Sequence, residues 1–340
     1  MIHRRLSLVL AMLVVAALPS CAQSGIAKTI TEAEVHSLES ALADDSMEGR
    51  LTGTPGGARA ARYIAAQMKL LDLAPLGDSG YFQRVPVTAT DSSIDLRASF
   101  SDAAPGRHET AVNVVGMLQG SDPKLAGEII LVDAHYDHLG VGKPVNGDSI
   151  YNGADDDASG TVAVLAVAHA LAGTHPKRSI LFALTTGEEE GLLGTNWMIA
   201  HFPVPIDSVV ANLETEMIGR PDSLAGGAGK AWLTGYDRST MGAMLAREHI
   251  PIVADPRPAQ HFFERSDNIA YAQRGIPAHT LSTFNLHADY HQPSDDISRI
   301  DFAHMTAVIN AAVHAVALLA NGTVPVWNPG GRPTATPPGS

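Results

Sequence analysis

The chain has 340 residues, 45% of them hydrophobic and 17% charged, enough to bury one large α/β core. A formal charge of −13 argues against direct binding of nucleic acid or anionic lipid. Cys21 is the only cysteine, which excludes a disulfide framework.

In chain order, Arg4 and Arg5, an apolar run over residues 6–18 and Pro19-Ser20-Cys21-Ala22 read as an export signal occupying residues 1–20. That run is too short to span a bilayer comfortably, and no other segment reads as long enough. The chain is therefore expected in the periplasm or the medium. Membrane contact is expected only through lipid on Cys21, whose setting after Leu18-Pro19-Ser20 resembles a bacterial lipoprotein box. The alternative is plain signal cleavage near that cysteine. Removing residues 1–20 takes away Arg4 and Arg5 and no acid, which changes the charge from −13 to −15.

Residues 31–45 read as a polar helix, and 47–57 as a turn-rich loop. An amphipathic helix then runs to about Leu71, with Tyr63, Ile64, Met68 and Leu71 at helical spacing. From Ala111 the pattern becomes βα alternation. Strands are predicted over 112–118, 129–134, 179–185 and 209–213, and helices over 159–171, 193–200, 239–248 and 301–319. Short continuous apolar strands suit a mostly parallel sheet covered on both faces. The expected architecture is α/β: a single doubly wound domain over 27–320 that includes the N-terminal helical segment. No internal repeat or long linker interrupts it. The Gly-, Pro- and Thr-rich tail, 321–340, is expected to be disordered.

Chemistry gathers just past the strands. His135-Tyr136-Asp137 closes one, Glu188-Glu189-Glu190 follows another, and Glu216 follows a third. Asp155-Asp156-Asp157 precedes a helix, and Tyr290-His291 lies in a loop before the last helix. Open α/β sheets bind ligands at the carboxyl ends of their strands. Imidazole and carboxylate are what a catalytic Zn²⁺ takes. Asp137, two residues beyond His135, is placed to accept the imidazole N–H and fix its tautomer. Each cluster alone has an ordinary explanation: a strand-end histidine, helix capping by the aspartates, a solvated turn of glutamates, a surface turn at Tyr290. Needing all of these at once is what makes them improbable together.

Taken in order, His135-Tyr136-Asp137, Gly153 through Gly160, Glu188 through Gly194, Glu216-Met217-Ile218-Gly219-Arg220 and Tyr290-His291 resemble the co-catalytic zinc aminopeptidases, metallopeptidase family twenty-eight. Glu48-Gly49-Arg50, Ser266-Asp267 and Gly275-Ile276-Pro277-Ala278 add to the likeness, which covers roughly residues 30–320. The resemblance implies a zinc-dependent exopeptidase fold and two zinc ions per chain. His135 and Glu216 would hold one ion, Glu189 and His291 the other, with Asp156 bridging. It makes Glu188 the general base and then acid, and Tyr290 a stabiliser of the oxyanion. The ligand at Glu216 is often Asp in the family, which leaves Glu214 as a weaker candidate for that place.

The implied activity is release of N-terminal residues from peptides with a free N-terminus. The competing readings are a carboxypeptidase of the glutamate carboxypeptidase type, a one-zinc glutaminyl cyclase, and a metal-free binding protein on the same fold. The specificity pocket is expected in the loops of 255–290, where His261, Phe262, Phe263 and Phe284 offer apolar surface. Side-chain preference and oligomeric state are not legible.

Overall fold

Two adjacent strands carry the architecture. In β4 (Ile129–His135), Ile130, Val132 and Ala134 enter one apolar core while Ile129 and Leu131 enter a second on the opposite face. β7 (Ser179–Thr185) repeats the alternation, with Ile180, Phe182 and Leu184 on one side and Leu181 and Ala183 on the other. A strand buried on both faces has no polar side to present, which is why both read as unbroken apolar runs. Each of the Ile, Val, Leu and Phe side chains here contributes about 1.5–3 kcal/mol on burial. The computed structural model describes residues 27–86 and 110–334, so the expected export signal, Cys21 and residues 335–340 lie outside the described residues.

β4 and β7 pair in parallel, with His135 opposite Thr185, so their carboxyl ends share one sheet edge. β8 (Val209–Glu216) flanks β4 in parallel on the other side, and β11 (Ala278–Ser282) runs parallel to β8. The margins turn antiparallel. β3 (Val112–Leu118) pairs with β7 and carries the short β1 (Ala74–Pro75) and β2 (Phe82–Arg84). Beyond β11 come β9 (Ala231–Leu233), antiparallel to it, and β10 (Ile252–Ala254), parallel to β9. The order is β1-β3-β7-β4-β8-β11-β9-β10, with β2 also on β3. The sheet is mostly parallel in its middle, as expected.

One face is covered by α1 (Glu32–Leu42), α2 (Pro55–Leu70), α3 (Gly160–Leu171) and α7 (Phe302–Asn321), which supply Leu42, Ile64, Leu165 and Val316 to the larger core. The other is covered by α4 (Leu193–Ala200) and α6 (Asn268–Arg274), through Met198 and Tyr271. α5 (Met241–Arg247) packs beside β10. Helix starts follow local chemistry. Thr31 and Glu34 form a capping box on α1, Thr54 precedes Pro55 on α2, and Asp301 caps α7.

Beside the short strands β1, β2 and β9–β11 and helix α6, which the sequence reading did not predict, four departures stand out. β8 runs three residues past the predicted end at 213 and includes Glu216. A hairpin, β5 (Gly140–Val145) and β6 (Asp148–Tyr151), fills a stretch to which the sequence reading gave no element. By length and composition α7 is apolar enough to cross a bilayer, contrary to the expectation that no such segment follows residue 18, but it packs along α1 and α3. Finally, the tail is not free through residue 334. Trp327 packs beside Phe263 and His279, its indole N–H donates to Gly275 O at 2.8 Å, and Asn328 N–H donates to Arg238 O at 2.9 Å. One aromatic side chain with a satisfied N–H outweighs the surrounding Gly and Pro content.

Candidate metal centre

The parallel register delivers the site. His135 stands at the end of β4, Glu188 and Glu189 follow the end of β7, and Glu216 ends β8, all on one edge. The loop 154–159 and the turn around His291 close over them. Arg220 ties these two loops together: its guanidinium reaches Asp289 Oδ2 at 2.6 Å in the His291 turn and Asp295 Oδ1 at 2.8 Å. The Asp295 carboxylate in turn accepts the backbone N–H groups of Asp155 and Asp156. His291 itself sits in the left-handed region at φ 57°, a conformation costly for a non-glycine residue.

Of the three consecutive aspartates only the middle one faces His135 and His291. Asp157 Oδ1 accepts from Gly160 N and Met217 N, and Asp155 Oδ1 from Gly219 N, with His287 Nε2 3.0 Å from Asp155 Oδ2. Asp156 instead points Oδ1 at His135 Nε2, 3.6 Å away, and Oδ2 at His291 Nε2, 3.1 Å away. His291 Nε2 is also 3.3 Å from Glu189 Oε2. His135, Asp156 and Glu216 offer ligand atoms within 4.8 Å of one another, and so do His138, Asp156 and Glu189. Two donor groups therefore share one carboxylate.

Charge follows partners. Burial alone would raise both Glu189 and Asp156. His291 and His138 more than offset it, holding Glu189 well below the usual carboxylate range and Asp156 below it too. Burial pushes Glu216 up to about 7 against the pull of His135. Glu188, half-buried in the cleft, is raised well above its ordinary value by burial, His135 opposing and Glu189 and Glu216 adding. Burial opposes charge on His291, yet Glu189 and Asp156 raise it to about 10. Burial and the surrounding carboxylates keep the Tyr290 phenol protonated. Its ring stacks on His291 with centroids 3.8 Å apart.

Asp137 holds its neighbour differently from the expectation. The His135 Nδ1 partner is the Asp137 backbone carbonyl at 3.1 Å, while the carboxylate lies at 3.7 Å. That carboxylate accepts the Glu188 N–H at 3.2 Å and the Thr52 hydroxyl at 3.3 Å, bracing the glutamate loop against the end of β4. Glu214 is not at the centre. Both its oxygens are occupied by Ser266 Oγ, Asp267 N, Asn268 N and Thr280 Oγ1.

The family model for Peptidase family M28 matches residues 113–316, more than half of the chain. The chain belongs to this family. A probable leucine aminopeptidase 2 of Aspergillus fumigatus is 25% identical over 305 residues, 83% of this chain and 57% of the relative. A leucine aminopeptidase 2 of Arthroderma otae is 27% identical over 270 residues, 77% of this chain and 48% of the relative. The chain spans about half the length of these curated relatives. Among solved structures, a zinc aminopeptidase of Bacillus subtilis superposes with a TM-score of 0.65 at 15% identity, covering 86% of this chain and 96% of that one. A glutaminyl cyclase of Porphyromonas gingivalis gives 0.61 at 15% identity, covering 85% and 99%. At such identities the structural likeness establishes the fold alone.

Sequence reasoning missed three members of the site. His138 follows Asp137 directly, and its signal was a second imidazole in the strand-end cluster. Arg220 stood inside a quoted motif without a role, and Asp295 stood in a loop without one. Of the four expected pocket residues, Phe262 and Phe284 line the cleft beside the carboxylates, joined by Trp232, Met217 and Arg265. Phe263 turns instead into the second core, and His261 is exposed on a neighbouring groove.

Proposed function

We propose that the chain is a dizinc exopeptidase that releases N-terminal residues from peptides. The observation that carries this reading is Asp156, whose two oxygens face different histidines, His135 and His291. The donor chemistry fits zinc, being imidazole and carboxylate throughout. A further sign is that Asp156 Oδ2 and His291 Nε2 approach to 3.1 Å, yet neither has a hydrogen-bond partner among the described residues. Buried polar atoms left in this way fit coordination to an ion.

His135 and Glu216 would hold one zinc, Glu189 and His291 the other, and Asp156 both. Zinc bound there supplies the Lewis acidity that polarises a peptide carbonyl and acidifies water. Glu188 accepts the proton of the attacking water and returns it to the leaving amine, a task suited to a carboxylate whose proton affinity burial has raised. Tyr290, kept protonated, donates its O–H to the developing oxyanion. Asp137 holds the His135 ring through its carbonyl and the Glu188 backbone through its carboxylate. The aromatic wall of Trp232, Phe262 and Phe284 takes an apolar N-terminal side chain. Export through residues 1–20 belongs to the same reading and rests on the sequence alone.

The test is a panel of aminoacyl chromogenic substrates and their N-acetylated forms, assayed before and after chelation and zinc addition. Free-amine substrates should be cleaved and blocked ones spared, with activity lost to chelator and restored by zinc. Equal turnover of blocked and free substrates would overturn the aminopeptidase reading. One zinc per chain with glutaminyl cyclisation would favour the cyclase, whose fold this chain shares.

A further inference from the structure

We infer that His138 is a positioning residue whose Nδ1–H holds one oxygen of Glu189, so that the other oxygen faces the second ion. The inference rests on the dizinc reading and concerns how this chain builds its second donor group.

His138 is fully buried, and its Nδ1 lies 2.8 Å from Glu189 Oε1. Glu189 Oε2 lies 3.3 Å from His291 Nε2. Two imidazoles thus divide one carboxylate, one oxygen each. The contact from His138 Nδ1 to Asp156 Oδ2 is 3.8 Å, too long for a hydrogen bond, so Glu189 is its partner. The last torsion of a glutamate side chain is soft and has no sharp preferred value. An unheld Glu189 carboxylate would rotate; a hydrogen bond on Oε1 fixes which oxygen is offered.

The alternative is that His138 coordinates directly through Nδ1. Its other nitrogen decides against this. Nε2 is buried and has no hydrogen-bond partner among the described residues. A neutral imidazole carries one N–H. With the proton on Nδ1, the N–H meets a carboxylate and only a lone pair is left unpaired. With a metal on Nδ1, the proton would sit on Nε2 with no acceptor near it. The ring is also seated tightly. Gly153, at φ 56°, has no side chain there, and a Cβ at that position would lie 2.5 Å from His138 Cγ and Cδ2. The backbone of the aspartate loop itself thus forms one wall of the ring's seat. Partners that orient metal ligands in this way contribute about 10–100-fold to metal affinity.

The test uses the full chain, stripped with chelator and titrated with Zn²⁺ against a competing indicator, and separately with Co²⁺ for its visible spectrum. His138→Asn keeps an N–H near the Nδ1 position, and His138→Leu removes it. The expected result is near-wild-type affinity at both sites and an unchanged cobalt spectrum for His138→Asn. His138→Leu should lose about 10–100-fold affinity for one ion of the two. If His138→Leu does not fold by circular dichroism, His138→Gln, whose donor is carried one bond farther out, replaces it with the same expected loss. Wild-type affinity in the donor-deleted variant would overturn the inference. So would His138→Asn binding as weakly as His138→Leu with an altered cobalt spectrum, since that result makes His138 a ligand. A wild-type chain that takes up no zinc would overturn the metal reading itself, and this is visible before any variant is made.

Discussion

Two carboxylates at the sheet edge, Asp156 and Glu189, differ in charge from those one layer behind it although they share residue types. In front, Asp156 and Glu189 are met by the imidazoles of His138 and His291 and are held anionic. Behind, Asp133, Glu214 and Asp267 are fully buried and meet only neutral donors. Asn212 Nδ2 serves Asp133, Thr185 Oγ1 serves Asp267, and backbone N–H groups and hydroxyls serve Glu214. Burial accordingly pushes Asp133 and Glu214 well above the ordinary carboxylate range, and Asp267 above it. Neutral hydrogen bonds satisfy a buried carboxyl without compensating the lost hydration of its charge, whereas a facing imidazole compensates both. Glu214 and Glu216 stand two residues apart on β8, one behind and one at the edge, and burial raises both, Glu216 to about 7 against the pull of His135.

The sharpest blow to the front group is Asp156→Ala. Because its two oxygens face different histidines, the variant is expected to lose both zinc ions and with them all measurable hydrolysis. Metal analysis that found near-wild-type zinc in this variant, and a loss in Asp155→Ala instead, would move the bridging role to Asp155. Next comes the adjacent pair. Glu188→Gln cannot accept a proton, so kcat should fall by about 10²–10⁴ with zinc retained. Glu189→Gln should weaken one ion and regain part of its activity in added zinc. The two roles would have to be exchanged if paired kcat and metal measurements showed zinc lost from Glu188→Gln and kept by Glu189→Gln.

The smallest effect probes the region behind. A carboxyl whose folded pKa lies above its unfolded value near 3.9 contributes stability below that value and loses it as pH rises through the folded pKa. Asp267→Asn removes this titration, and its amide can still meet Thr185. In chelator-stripped protein, the melting temperature of Asp267→Asn relative to wild type should therefore climb between about pH 4 and pH 8. A flat difference over that window would mean that Asp267 is ionised, and the contrast between the two regions would fail there.

Much of the fold was readable because β4, β7 and α3 declare themselves locally, through unbroken apolar runs bounded by polar turns. The hairpin of β5 and β6 was also declared, by Asn146-Gly147 with both residues at positive φ, the strongest short hairpin signal there is. The strands beside it are short, and the two glycines and the proline of β5 leave no apolar alternation to mark it. β9, β10 and β11 were missed for a different reason. Each has only three to five residues and is held as a strand by its neighbours in the sheet, which no short window of sequence displays.

The sequence by itself determined the donor types, their order and their places just beyond the strands, since these depend on residue identity and local pattern. Local pattern alone did not decide which of Asp155, Asp156 and Asp157 faces His135 and His291 or which of Glu214 and Glu216 stays with the centre, where the family resemblance favoured Asp156 and Glu216, and nothing in it showed that His138 reaches Glu189. Those choices were made by the parallel register of β4 with β7 and β8, by Arg220 holding the His291 turn at Asp289 and Asp295 while Asp295 holds the aspartate loop, and by Gly153 leaving room for a ring. Each is a contact between residues far apart in the chain, so both the direction of a side chain and its charge exist only once the sheet has closed.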